Sequence, residues 1–516
     1  MKMVKSLILG SAAGLVALSG AQAADLPVKA KAVEYVKICS LYGAGFYYIP
    51  GTDTCIKLGG YLRVDMGVNT NSVFTADYTS PGSLGNRYTD AFVWRSREDL
   101  NIDTRTATEY GVVRTFFDAT FTWTDDNYTA STATATTGPL GSVYSQIGLG
   151  LGQGANGTSG AVAYGSLGVY YAFIQFAGFT MGKSISPFSA PWTAYPGNNY
   201  DALVGGGGTV TGVNQFVYTA QFGGGVSGTI GVQDPTQYYQ AGVLNFGPVG
   251  TGLGPAGVGD YANNVAPDIV GNINVTQAWG LAQLSVAAHD NNPAYYINSG
   301  AGNIVTGHPD DKWGFAVQGA ISLANLPTGV GDVINAQAVY TNGATRYNIQ
   351  DLASAAGAWT SYNGSSIPGA LGGIGFGVAP DSVFNFAGQQ SLISTWGGRG
   401  AYTHNWNPYW NTAIYGAYAN VHYGAAATAT VCASIAATAA YAGVTTCNPN
   451  YAVTQLGTIT RWTPVKNLTF SGEFVYSHLD QNYTGFVTTS GAAGTGAYEI
   501  KNQNTYQVLL RAQRNW

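Results

Sequence analysis

Arginine and aspartate recur at every second position in the first third of the chain. In FVWRSREDLNIDTR, Arg95, Arg97, Asp99, Asn101, Asp103 and Arg105 alternate with a set holding Phe92, Trp94, Leu100 and Ile102, with Glu98 the one misfit. Arg63 and Asp65 in YLRVDMGVN keep the same parity, opposite Leu62, Val64, Met66 and Val68. So do Arg114 and Asp118 in EYGVVRTFFDATFTW, opposite Val113, Phe117, Ala119, Phe121 and Trp123. Side chains of a strand point to opposite faces in turn, so each stretch reads as a strand with one wet and one oily face. Basic groups facing acidic ones across a wet space set up a transverse field. Such a field suits polar solutes, because an apolar one must displace oriented water. The same arginines could instead pair with Asp65, Asp99, Asp103 and Asp118 as structural networks, and both readings can hold together.

Signatures of catalysis are weak by contrast. GQGANG (152–157) and GLGPAG (252–257) fit a dinucleotide-loop pattern. Neither leads from a strand into a helix, and a chain with 72 glycines makes such matches by chance. There is no GxSxG, HExxH or Walker sequence, and the five histidines are scattered. No enzyme, cofactor or metal site is expected. Asp125, Asp126, Asp310 and Asp311 form two acidic pairs that could hold divalent cations with lipopolysaccharide, but solvated loop charge is the simpler reading.

The elements that must position these faces follow from composition. Charged residues are 9% of the chain, against about 25% in ordinary domains. Tyrosine is abundant at 35 residues, and hydrophobic residues reach 46%. Yet beyond the N-terminal region no apolar run approaches the 18 or so residues of a membrane helix. The apolar content is therefore dispersed, one residue in two, as in many strands. NQFVYTAQF, KWGFAVQGAISL and NLTFSGEFVYS continue the alternation. Each is about ten residues, enough to cross a bilayer as a tilted strand.

Connections alternate as well. Short ones are expected at 106–108, 177–178, 223–225, 405–408 and 463–467. Long ones are expected at 69–90, 124–160, 186–212, 234–270, 291–311, 342–390, 423–450 and 481–497. Short turns on one side and long loops on the other, around about sixteen strands, predict an all-β protein: a transmembrane antiparallel β-barrel with short periplasmic turns and long external loops. A soluble secreted β-sandwich is the rival fold. In lipid an open sheet edge is not viable, so the strand YQVLLRAQRNW must close on the strand around KLGGYLRVDMGVN. Trp516 then sits where interfacial aromatic girdles occur, and Arg514, on the oily face, is expected to snorkel.

MKMVKSLILGSAAGLVALSGAQA has the basic start, apolar run and A-x-A site of a signal peptide, so 1–23 are expected to be removed on export. An uncleaved anchor is the alternative. Residues 24–56 are expected to form an N-terminal periplasmic segment, and 57–516 the barrel. Four cysteines in an exported chain read as two disulfides, Cys39–Cys55 and Cys432–Cys447. Metal ligation is the weaker alternative, because no CxxC occurs. A net charge of −5 without a basic block predicts no nucleic-acid partner.

VKICSLYGAGFYYIPGTDTCIKLGGYLRVD (36–65), ADLPVKA (24–30) and IQFAGFTMGKS (174–184) resemble the porins of alphaproteobacterial, rhizobial-type outer membranes. The resemblance implies a sixteen-stranded, trimeric, general-diffusion porin of a Gram-negative outer membrane. It implies that the third long loop, SPFSAPWTAYPGNNYDALVGGGGTV, folds into the barrel at about 186–212 and narrows it; an ordinary exposed loop is the alternative. Asp201 is its only acid, where constriction loops of the family carry several. The resemblance also implies that a terminal aromatic residue, here Trp516, is read by the barrel-assembly machinery. The expected constriction set is Arg63, Arg95, Arg97, Arg114, Asp118 and Asp201. The expected function is passive diffusion of small hydrophilic solutes and ions, with the homotrimer, outer-membrane lipid and lipopolysaccharide as partners. One rival is a substrate-specific channel, for example for sugars, with Trp192 and Tyr195 as lumenal aromatics. Others are a barrel lipase, for which no Ser/His pair is found, and an adhesin or phage-binding surface protein.

Overall fold

The computed structural model describes the chain apart from residues 1–36, 69–91, 125–160, 163–164, 193–195, 201–202, 209–210, 237, 248–257, 260, 263, 297–305, 351–364, 376, 386–387 and 492–493. By contacts the chain divides into Met1–Ile56 and Lys57–Trp516. In the first unit, Cys39 and Cys55 are disulfide-bonded and pack with Phe46 in a small buried cluster.

Sixteen long strands form one closed antiparallel sheet. In chain order they are β1 (Thr54–Val68), β2 (Phe92–Thr108), β3 (Gly111–Thr124), β4 (Gly165–Phe176), β5 (Phe179–Ser184), β6 (Val213–Gly223), β7 (Val226–Gln233) and β8 (Asp268–Gln277). There follow β9 (Gly280–Asn291), β10 (Lys312–Leu323), β11 (Val333–Asn342), β12 (Ser394–Asn407), β13 (Trp410–His422), β14 (Tyr451–Val465), β15 (Leu468–Gln481) and β16 (Gln503–Asn515). Each pairs with its neighbour in sequence, and β16 closes on β1 with Tyr61 opposite Asn515 and Val68 opposite Val508. Closure removes the sheet edge, as the lipid argument requires.

Alternation decides what faces where. In β2, Arg95, Asp99 and Asp103 are buried inside while Phe92 and Trp94 are exposed outside. Outward aromatics mark both ends of the strands. Trp279, Trp406, Trp410 and Trp462 lie at the short-turn end, and Trp123, Trp313, Trp396 and Tyr506 at the long-loop end. Two such belts are what a bilayer selects at its two interfaces.

The first short turn differs from the expected 106–108: β2 runs through to Thr108 and the reversal is at 109–110. Thr108 Oγ1 donates to Gly111 O and accepts from Tyr110 N–H, holding the reversal one step later. A bulge in β4 at Tyr170, opposite Asp118 and Ala119 of β3, breaks the parity of that strand, so a period-two reading cannot assign its faces throughout.

The long loops carry their own structure. Two four-stranded sheets lie among them, one joining 243–245 to 382–384 and the other joining 484–491 to 494–500. The Ala-rich stretch in the 423–450 loop is a helix, α1 (Ala425–Ala437), which buries Ala427, Val431 and Ile435 along one side. Their four-residue spacing gives a helix its apolar stripe. Cys432 on α1 is disulfide-bonded to Cys447.

Candidate pore constriction

After β5 the described residues of 185–212 lie across the barrel interior, and inward side chains of the wall take up their backbone groups. Asn272 Nδ2 donates to Pro187 O (2.7 Å), Gln283 Nε2 to Ser189 O (2.7 Å) and Gln318 Nε2 to Phe188 O (2.8 Å). Gln318 Oε1 accepts from Gly207 N–H (2.9 Å), and Gln455 Oε1 from Val204 N–H (2.9 Å). Charged groups hold the middle. Arg461 donates to Gly197 O (2.9 Å), Arg511 to Asn199 O (3.2 Å) and Arg399 to Leu203 O (2.9 Å). Glu473 accepts from Asn199 N–H (2.8 Å) and from the Tyr415 hydroxyl (2.6 Å). A buried peptide group without a partner is costly, so this set is what lets an irregular segment lie inside the barrel.

Apolar burial adds to it. Tyr200, Leu203 and Val204 pack with Ile349, Ala401 and Tyr415, each contributing roughly 1.5–3 kcal/mol if fully withdrawn from water. Burial, with Glu473 beside it, pushes the Tyr200 phenol up, so it stays protonated. The glycine run explains the close approach. Gly205 has φ +95°, and a Cβ there would lie 2.3 Å from Gly398 O; one on Gly206 would lie 1.8 Å from Gln337 Nε2. Only glycine fits either place.

The expected arginines gather on the wall formed by the two ends of the chain. Asp65, fully buried, accepts from Arg95 Nε (2.8 Å) and Arg511 Nε (2.6 Å), and Arg63 Nε lies 3.3 Å away. Three guanidiniums thus surround one carboxylate. Arg97 donates to Thr122 Oγ1 (2.8 Å) and lies 5.7 Å from the centre of the Tyr170 ring. Arg105 and Arg114 both grip Asp103, each with an Nη2 at 3.0 Å. Asp118 lies within hydrogen-bonding reach of Asp99. Asp201 falls outside the described residues, as do Tyr195, Asp125 and Asp126.

Arg63 and Arg95 are buried, so they sit in a structural network as well as on the lumenal face, while Arg97, Arg105 and Arg114 show more surface. Sequence reasoning did not place Arg399, Arg461, Arg511 or Glu473. Arg511 had a usable signal. It lies on the wet parity of β16, and closure sets it directly opposite Asp65. The misfit Glu98 also finds its reason, since it accepts from Trp516 Nε1 (3.2 Å), whose backbone N–H donates to Gly60 O (3.1 Å). Arg514 donates to Lys466 O in the last short turn.

A closed sixteen-stranded barrel with aromatic belts and a segment folded across its lumen defines an outer-membrane channel of the porin class. The sequence pattern described as "Porin subfamily" matches residues 25–509, and the chain belongs to that family. It is 30% identical to Porin Omp2b of Brucella canis over 327 residues, covering 63% of this chain and 75% of that one. Porin Omp2b of Brucella abortus is 31% identical over the same length. Among solved structures, the outer membrane channel DcaP of Acinetobacter baumannii superposes with a TM-score of 0.54 at 14% identity, covering 91% of this chain and 99% of that one, a likeness of fold. The protein is a general diffusion channel of the Gram-negative outer membrane.

Proposed function

We propose that residues 185–212 and the arginine-rich wall form the selective zone of this channel, and that it passes small hydrophilic solutes with a weak preference for anions. The observation that carries the reading is the crowding of Arg63, Arg95 and Arg511 around the single carboxylate of Asp65. Arg97 adds charge whose Nε goes to a hydroxyl instead of a carboxylate. Surplus positive potential raises the local concentration of anions, and a transverse field orders water against apolar solutes. The pore lining is Arg63, Arg95, Arg97, Arg114 and Asp118 in this reading, with Asp201 assigned to it from its place in the sequence. No catalysis is involved. The working unit is a homotrimer set in outer-membrane lipid and lipopolysaccharide, delivered by the barrel-assembly machinery.

The test is reversal potential across planar bilayers under a low-salt gradient, where screening is weakest. Arg97→Gln, and Arg95→Gln with Arg97→Gln, should shift it toward cations while the barrel stays folded. Unchanged selectivity in low salt would remove these arginines from the narrow zone.

A further inference from the structure

We infer that the lumen holds a binding niche for uncharged sugars, built beneath the start of the fold-back segment on the short-turn half of β3–β7. The inference rests on the channel reading above and names a solute class for it. The niche is a cavity of about 450 Å³, within the roughly 300–1,000 Å³ range of small-ligand clefts.

Its wall is aromatic where the rest of the selective zone is charged. Phe116, Tyr171 and Phe173 all line it, with ring centres 5.4 Å apart for Phe116–Phe173 and 6.2 Å for Phe116–Tyr171. Aromatic faces carry negative quadrupole density, and the C–H face of a pyranose ring is the weakly positive, apolar surface that lies on them. Between the rings come groups that serve hydroxyls. Gln175, Gln215, Thr180, Thr219 and Thr229 line the same space. Gln175 Nε2 donates to Thr180 Oγ1 (3.1 Å), and the Thr219 and Thr229 hydroxyls share a hydrogen bond (2.9 Å). These hydroxyl oxygens and Gln215 Oε1 keep lone pairs for a sugar hydroxyl. Ser184 at the end of β5, with Ile185 and Pro187 of the fold-back segment, forms its far side, and Gln215 ties that side in place through Ser184 O and Ile185 O (both 2.8 Å).

The charge arrangement separates a sugar from a ring-bearing anion. Arg114 is the cation lining the niche, and each of its three nitrogens already donates to a protein acceptor. Nε and Nη2 go to Asp103 (3.1 and 3.0 Å), and Nη1 goes to Gln175 Oε1 (2.9 Å). Its flat face is covered by Phe116 and Phe173, at 5.0 and 5.5 Å from the ring centres. A carboxylate entering here would meet a guanidinium already chelated, whereas a polyhydroxylated ring meets aromatic faces and neutral hydrogen-bonding groups. Two rings on one strand pair also grip weakly, and a solute that must leave needs a weak site.

The experiment uses purified full-length oligomer in planar bilayers at high salt, which suppresses charge steering. Maltotriose is the neutral probe and benzoate the ring anion. Maltotriose should reduce the ion current reversibly and with saturation. Phe116→Ala with Phe173→Ala should raise its half-blocking concentration by about tenfold, the sum of two modest ring contributions. Phe116→Leu with Phe173→Leu keeps the apolar bulk and should give a similar loss, which covers the case in which the alanine variant fails to fold. Absence of block by maltotriose in channels of ordinary conductance overturns the proposal, and so does block that both ring variants leave unchanged. Block by benzoate but not by maltotriose overturns it in favour of a ring anion. Reversal potential, read in the same chamber, should not move in the ring variants. It reports on the arginine wall, so failure of the niche and failure of the anion preference are separate results.

Discussion

Two arcs of the barrel wall hold the same fold-back segment with different chemistry. The arc of β8–β11, from the middle of the chain, uses Asn272, Gln283, Gln318 and Asn335 on the carbonyls of residues 187–189 and 196. The arc around the seam, where β16 meets β1, uses Arg461, Arg511 and Glu473 on residues 197–199. A primary amide both donates and accepts, so it satisfies a peptide group and leaves no net field. A guanidinium satisfies a carbonyl equally well but brings a charge with it. On the proposed reading the seam arc performs two tasks, anchoring and selection, while the amide arc only anchors. The seam also joins the two ends of the chain, a pairing of very high sequence separation that no local hairpin can template.

The largest effect should come from removing the centre of the seam. Asp65→Ala leaves Arg63, Arg95 and Arg511 crowded without their carboxylate. Breaking a buried ion pair from one side typically costs about 3–5 kcal/mol. The urea midpoint of the refolded protein should fall accordingly, and the heat-resistant oligomer should be scarce. A midpoint close to wild type would mean that water already screens the cluster, and the contrast between the arcs would shrink to geometry.

Next comes the short-turn end of the seam, where Trp516 bonds to Glu98 and Gly60. We expect deletion of Trp516, or Trp516→Asp, to lower the folded oligomer in outer membranes several-fold. In detergent refolding without the assembly machinery the defect should be milder. Equal yields in cells would show that the terminal residue carries no assembly signal.

The amide arc should respond more gently. Gln318→Leu with Gln337→Leu strips hydrogen-bonding partners from Phe188 O and both peptide groups of Gly207. Each buried group left short costs about 1–3 kcal/mol, less where a neighbour such as Arg399 still reaches it. Current through single channels should become noisier as the segment loosens, with reversal potential unchanged. A clear shift in selectivity would show that the amides shape the field after all.

How much of this was legible beforehand follows from the kind of information each feature needs. Strand faces were legible because β2 alternates so strictly, and the loop rhythm because glycine and threonine collect between strands. Arg63, Arg95, Arg97 and Arg114 could be put on wet faces by parity alone. Asp65 and Asp103 share that parity and do pair with three of them, but the third guanidinium at Asp65 could not be read, since Asp65 meets Arg511 only after closure across 446 residues of sequence. The niche was illegible for a different reason. Phe116 shares the wet parity of Arg114 and Asp118, but its partner Phe173 could not be assigned, because the bulge at Tyr170 shifts the parity of β4 beside it. The helix α1 was hidden because an Ala- and Thr-rich stretch carries little periodic signal of its own.

Acid should separate the arcs most subtly, because amides do not titrate and carboxylates do. Among the loops at the seam, between β15 and β16, Glu499 accepts from the Ser366 hydroxyl (2.5 Å) and N–H (2.6 Å) and from the Ser365 hydroxyl (2.9 Å), with Lys501 Nζ at 3.3 Å. These contacts, the Ser366 hydroxyl foremost, hold its carboxyl down to about 2. A free glutamate titrates near about 4.3, so the folded form binds its proton more weakly than the unfolded one. The resulting stabilisation is fully present above the unfolded value. It fades as pH falls from about 4 toward 2. Hydrogen exchange, corrected for intrinsic rates and compared between about pH 6 and pH 3, should show lost protection at residues 366–371 and 494–500. Gly205 and Gly207, held within the barrel, should keep theirs. Glu499→Gln should already be less protected at the higher pH and should lose its pH dependence. If wild type and variant respond to acid alike, the pin at Glu499 contributes nothing measurable, and the loops at the seam are held by packing around α1 and its disulfide instead.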